Sequence, residues 1–179
     1  MIHSYAYRVG LIASAIGVLY TLIAYFIGIE AFTNFLFPIL IVIGILVYII
    51  LSVKKIKSFQ GGNLTFASAF VNFMVMVGIY TIITQLFNYL LINIIDPEFG
   101  VAMADAIIEK TVNMMEGFGT PEQAIVKAIE DMEVAFEDQA TISGMLLGVL
   151  KYLGFMAVIG LIVAAIMKSK KEVFTETVD

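Results

Sequence analysis

The chain has no cysteine, no tryptophan, one histidine, three prolines and little charge. Without cysteine, disulfide frameworks, Cys-ligated zinc, iron–sulfur clusters and thiol nucleophiles are all excluded. The same absence leaves the redox compartment undefined. The single histidine, His3, cannot supply a paired-histidine metal motif and has no Ser/Asp constellation around it. It reads as an exposed imidazole in a short terminal tail. No Gly-rich phosphate loop occurs. Charged residues make up 14% of the chain and hydrophobic ones 61%, with mean hydropathy +1.00. Soluble domains run at about 25% charged and about 45–50% apolar, so a water-soluble fold could not hide this surface. The bilayer must be the solvent.

What is present is sharply divided. Residues 96–138 hold 11 acids and 2 lysines, a balance of −9, which leaves 8 bases and 4 acids elsewhere, or +4. Four apolar runs stand outside the acidic segment: 9–29, 32–53, 66–95 and 142–167. Each reaches the roughly 20 residues that cross about 30 Å of hydrocarbon. The third would be about 45 Å long as a helix, so it must tilt or protrude. The first has a longer uncharged core than a signal-peptide h-region of about 7–15 residues, with no A-x-A-like site behind it, and is expected to remain as a span.

The expected fold is therefore all-α: a polytopic membrane protein with four transmembrane helices in one domain, 1–179. Arg8, "KKIK" (Lys54, Lys55, Lys57) and "KSKK" (Lys168, Lys170, Lys171) fall on one side if the spans alternate, against Lys110 and Lys127 on the other. This places both termini in the cytoplasm, with the acidic segment outside and the protein in the inner, or cytoplasmic, membrane. "GGNLTFASAF" is then a tight cytoplasmic turn. Gly61 and Gly62 supply positive φ, and Asn63 or Thr65 caps the next helix. Thr65, Ser68 and Asn72 share one face of it.

Inside the acidic segment, Asp96-Pro97-Glu98 has the form of a helix start: N-cap, proline at the first position, acid in the first turn. Phe99, Met103, Ile107 and Met114 recur at helical spacing up to Gly117. "TPEQ" reads as a second start, with Thr120 as cap and Gln123 completing a capping box. Ile125, Ile129, Met132 and Phe136 form its apolar stripe. The spacing predicts an extracytoplasmic amphipathic hairpin, 97–116 and 121–139, within 96–140. Its stripes face each other and the span tops, or a partner. No Ca-binding loop pattern occurs among its acids, which read as a solvated face.

Two sets of residues within the spans stand out. Gly10, Ser14, Gly17, Thr21, Ala24 and Gly28 are spaced 4, 3, 4, 3, 4, a small-residue seam where helix backbones can approach closely. Its partner is either another span or a second chain. Asn72, Thr81, Gln85, Asn88 and Lys151 are polar groups in hydrocarbon, where an amide must find a partner. They read as interhelical glue or as the lining of a hydrated site. Lys151, the one charge inside a run, either snorkels outward or marks that site. No Asp, Glu or His forms a relay, and the methionines lack His or Cys company.

The order Gly61-Gly62, Thr65-Phe66, Ala69-Phe70, Asp96-Pro97 and a last run closing in Ala-Ala-Ile-Met-Lys resembles a bacterial domain-of-unknown-function family, numbered four-one-nine-nine. The resemblance covers about residues 5–171. It implies four spans in an inner membrane and brings no catalytic residue, ligand or cofactor. The residues point first to a non-enzymatic interaction or scaffold component, without cofactor or nucleic acid. Its partners would be lipid and a second copy or another membrane protein. The alternative is a small oligomeric transport or channel subunit.

Overall fold

The computed structural model describes residues 2–34 and 36–169, and is helical throughout. Seven α-helices follow in order: α1 Ile2–Ile27, α2 Ile29–Thr33, α3 Leu36–Phe59, α4 Phe66–Leu90, α5 Pro97–Gly117, α6 Glu122–Gln139 and α7 Ile142–Met167. A π-helical turn, Leu91–Ile95, extends α4. Four helices are long and apolar enough to cross a bilayer: Ser4–Ile27, Leu36–Phe59, Phe66–Ile95 and Ile142–Met167. The chain is a multi-pass membrane protein. Lys170 and Lys171, and the side chain of His3, lie outside the described residues.

The ends of the helices follow local chemistry. Gly28 takes φ 111°, which stops α1 at Ile27 and sets Ile29–Thr33 apart as a separate turn of helix. The second span consequently starts at Leu36 rather than residue 32, and it runs on past Lys54, Lys55 and Lys57 to Phe59. Gly61 (φ 63°) and Gly62 (φ 86°) make the reversal. Thr65 then caps α4, its Oγ1 accepting from Ser68 N–H at 3.2 Å. Asn63 does not cap.

Asp96 caps α5 by accepting from Phe99 N–H at 2.9 Å. The expected capping box over Thr120–Gln123 is not formed. Thr120 N–H instead donates to Met115 O at 3.0 Å, closing α5 with Gly119 at φ 70°, and α6 begins at Glu122 without a side-chain cap. Closing α5 satisfies its last carbonyls, which compete for the same four residues.

Helix α4 is the centre of the bundle, packed most extensively on α1 and on α7. The core is confined to one half of the spans. It joins Ala6, Val9 and Ala13 of α1, Ile45, Ile49, Val53 and Ile56 of α3, Ala69, Phe73, Met76 and Val77 of α4, and Met156, Val163 and Ala164 of α7. This half ends at the Gly61–Leu64 turn and carries Arg8, the α3 lysines and Lys168; we call it the lysine-flanked half. The outward faces are apolar, with Leu11, Leu19, Leu40, Val47 and Ile162 exposed, as expected where lipid covers them.

A clasp closes this half. Ser169 N–H donates to Leu64 O at 2.9 Å, Leu64 N–H donates to Ser169 Oγ at 2.8 Å, and the Ser169 hydroxyl donates to Gly62 O. The end of α7 is thereby tied to the turn between α3 and α4.

Candidate functional site: a polar chamber in the other half

Toward the opposite end, the spans are separated by a cavity of about 850 Å³. Tyr20 and Thr21 of α1, Gln85, Asn88 and Tyr89 of α4, and Leu147, Gly148 and Lys151 of α7 form its walls. Met103 and Ile107 of α5, with Phe136 and Gln139 of α6, border it from the acidic segment. A smaller cavity of about 220 Å³ continues it between α1, α3, α4 and α7, sharing Tyr20, Thr21, Pro38, Gln85 and Asn88 and adding Thr81, Thr84 and Tyr152. Volumes of about 300–1,000 Å³ are those of ligand sites.

The chamber exists because α1 meets α4 along small residues only up to its rim. A Cβ at Gly10 would lie 2.8 Å from Ile79 Cβ, and one at Gly17 2.8 Å from Thr84 Cγ2 and 3.0 Å from Tyr80. Ser14 donates to Gly10 O at 2.7 Å and to Ile79 O at 3.3 Å, and Thr21 donates to Gly17 O at 3.2 Å. Four of the six small-residue positions thus face α4 or the cavity beside it, within this chain. Ala24 is buried, whereas Gly28 serves the chain break and faces open space.

The polar candidates divide by location. Asn72 is buried in the lysine-flanked half, donating to Ser68 O at 2.7 Å, with its Oδ1 left without a partner. Thr81, Gln85, Asn88 and Lys151 converge on the two cavities. Elsewhere in the bundle, amides and hydroxyls bond back to their own helix, Asn93 to Tyr89 O at 3.0 Å and Ser52 to Tyr48 O at 2.8 Å, as do two lining hydroxyls, Thr84 to Tyr80 O at 2.7 Å and Thr21 to Gly17 O. Among the described residues, the side chains of Gln85 and Asn88 have no such partner. Tyr20 Oη and Thr81 Oγ1 are buried and unpartnered as well. Sequence reasoning missed Tyr20, whose only signal is a phenol among aliphatic residues.

Where the first span approaches the acidic segment, Tyr25 Oη donates to Asp96 Oδ2 at 2.8 Å. Tyr25 and Phe32 both meet the Phe99 ring edge-on, at 4.8 and 5.4 Å. The Phe99 N–H and then the Tyr25 hydroxyl hold the Asp96 carboxyl below the ordinary aspartate value, against a smaller opposing effect of desolvation. This contact fastens α5 to α1 beside the chamber.

The family profile described as "Protein of unknown function (DUF4199)" matches residues 8–169. The chain belongs to the DUF4199 family. The match takes in the first span from Arg8 onward, the other three spans, both acidic helices and every residue of the chamber. No curated protein and no solved structure shows a significant match. Within this DUF4199 chain, the unpartnered polar groups around one chamber are what any functional reading must explain.

Proposed function

We propose that this protein is a non-enzymatic transport component of the cytoplasmic membrane, taking a solute into the chamber between its spans. Both termini lie in the cytoplasm, and α5 and α6 form an extracytoplasmic hairpin over the chamber mouth. The observation that carries the reading is the gathering of four side chains without protein hydrogen bonds on two adjoining cavities: Tyr20 and Thr81, whose hydroxyls are buried, and Gln85 and Asn88, which are half-buried. A buried polar group without a partner costs about 1–3 kcal/mol. A fold that needed only glue would have turned these groups back on their helices, as it does at Asn93 and Ser52. A bound solute or water supplies what the chain does not.

Native mass spectrometry of the protein taken from its own lipid tests this. The expected result is a small-molecule adduct on the wild-type chain that is lost in Gln85→Leu, with helicity by circular dichroism unchanged. An adduct retained by Gln85→Leu, or no adduct on the wild type, would overturn the reading.

A scaffold role has one observation in its favour. Val101, Met114 and Phe118 leave large apolar side chains exposed on the acidic pair, Phe118 at 82%. A second protein that stays bound in the same spectra, and is lost in Phe118→Ser, would favour it.

A further inference from the structure

We infer that the chamber takes a single-chain anionic amphiphile, with its acidic head at Lys151 and its tail directed toward the bilayer past Leu147. The inference rests on the binding reading above and adds the class of ligand.

Charge gives the head. Lys151 lies nine residues into α7, borders the chamber, and makes no ion pair among the described residues. Its side chain is exposed beside the chamber, and within an apolar span an ammonium is costly unless an anion or water reaches it. The one carboxylate residue on the chamber border is Asp138, exposed near the end of α6, and it does not pair with Lys151. Gln85 and Asn88 of α4 add amide N–H donors to the same chamber. A cation with amide donors and no neutralising acid matches a carboxylate or phosphate head.

The walls give the tail. Helices α5, α6 and α7 contribute apolar lining: Met103, Ile107, Phe136, Met145 and Leu147. Helix α3 contributes Pro38 alone to the large cavity, and it touches α7 less than it touches α1 or α4. Leu147 borders the chamber and is still 51% exposed, with Leu146 and Leu150 exposed on either side. The chamber therefore meets the outer, lipid-covered surface along α7. A soluble anion would need no such apolar flank.

Gly148 provides the test. It borders the chamber, and a Cβ there would meet nothing within 4 Å. Gly148→Leu fills the space while improving helix propensity. The full chain in nanodiscs of zwitterionic lipid is titrated with dodecanoate, dodecanol and acetate, and bound molecules are counted by native mass spectrometry. Dodecanoate is expected to bind saturably, one per chain, at least about tenfold tighter than dodecanol or acetate. Lys151→Met should weaken dodecanoate by at least about tenfold and leave dodecanol unchanged. Gly148→Leu should remove both. If Gly148→Leu blocks both ligands while Lys151→Met changes neither, the anionic head is wrong and the chamber reading stands. Acetate binding as well as dodecanoate would remove the tail. Dodecanoate binding that survives Gly148→Leu would place it outside the chamber and overturn this inference, leaving the chamber reading to the Gln85→Leu test.

Discussion

In the lysine-flanked half of the bundle, side chains from α1, α3, α4 and α7 meet in a closed core around Phe73 and Met76, and Ser169 fastens α7 to the turn at Leu64. In the half beside α5 and α6, the same four helices part, and Gln85, Asn88 and Lys151 face a chamber. The two halves are built from the same four spans, so what differs is the size and polarity of the side chains each span carries along its length. Gly10 and Gly160 let neighbours approach to contact at the closed end, while amides, tyrosines and Lys151 line the chamber at the other. In lipid, where burial of apolar surface does not draw helices together, such close contacts decide where a bundle closes.

The contrast is open to experiment. Phe73→Ala should have the largest effect, about 3–5 kcal/mol, because Phe73 is fully buried in the closed half; reversible unfolding in mixed micelles measures it. Next comes a matched pair. Gly160→Leu must displace Phe73, 2.8 Å from the added Cβ, and should cost about 1–3 kcal/mol, whereas Gly148→Leu should leave stability unchanged or raised. Equal losses in the two variants would erase the distinction between the halves. Ser169→Ala removes the two hydroxyl bonds of the clasp and keeps its backbone bond to Leu64 O, and should cost about 1 kcal/mol, read as a lower midpoint in the same unfolding assay.

The smallest effect belongs to Asp96. Its carboxyl titrates lower when folded than when unfolded, so its contribution is complete above the unfolded value of about 3.9 and fades as pH falls through the lower folded value. Asp96→Ala should therefore be slightly less stable than the wild type at pH 7, with the gap closing only in strong acid. A gap that closes between pH 5 and 7 would contradict the Tyr25–Asp96 contact.

Much of this fold was legible in the sequence. The four apolar runs became the four spans, with α7 at 142–167 as expected, because length and hydropathy act locally. The Asp96 and Thr65 caps were legible for the same reason. The start of the second span and the Thr120 cap were misplaced, since Gly28 and the closure of α5 set them through backbone geometry that composition does not reveal. At the site, the spacing of Thr81, Gln85 and Asn88 marked one face of α4. What the sequence could not place was the wall opposite. Tyr20, Met103 and Gly148 lie on three other helices, joined to that face only by the tertiary fold. Asn72, grouped with them by residue type, belongs to the closed half instead.

The Ser169 clasp also bears on how the protein is made. Leu64 N–H meets its acceptor 105 residues further along the chain, and no backbone group nearby replaces it. At about 5–20 residues per second, roughly 5–20 s of synthesis separate the two partners. Through that interval the turn after α3 must remain where water, or the insertion machinery, can satisfy it. The closed half of the bundle is then locked late, by arrival of the end of α7, and biogenesis stalled before α7 would leave the Gly61–Leu64 turn in an unfinished state that proteases could recognise.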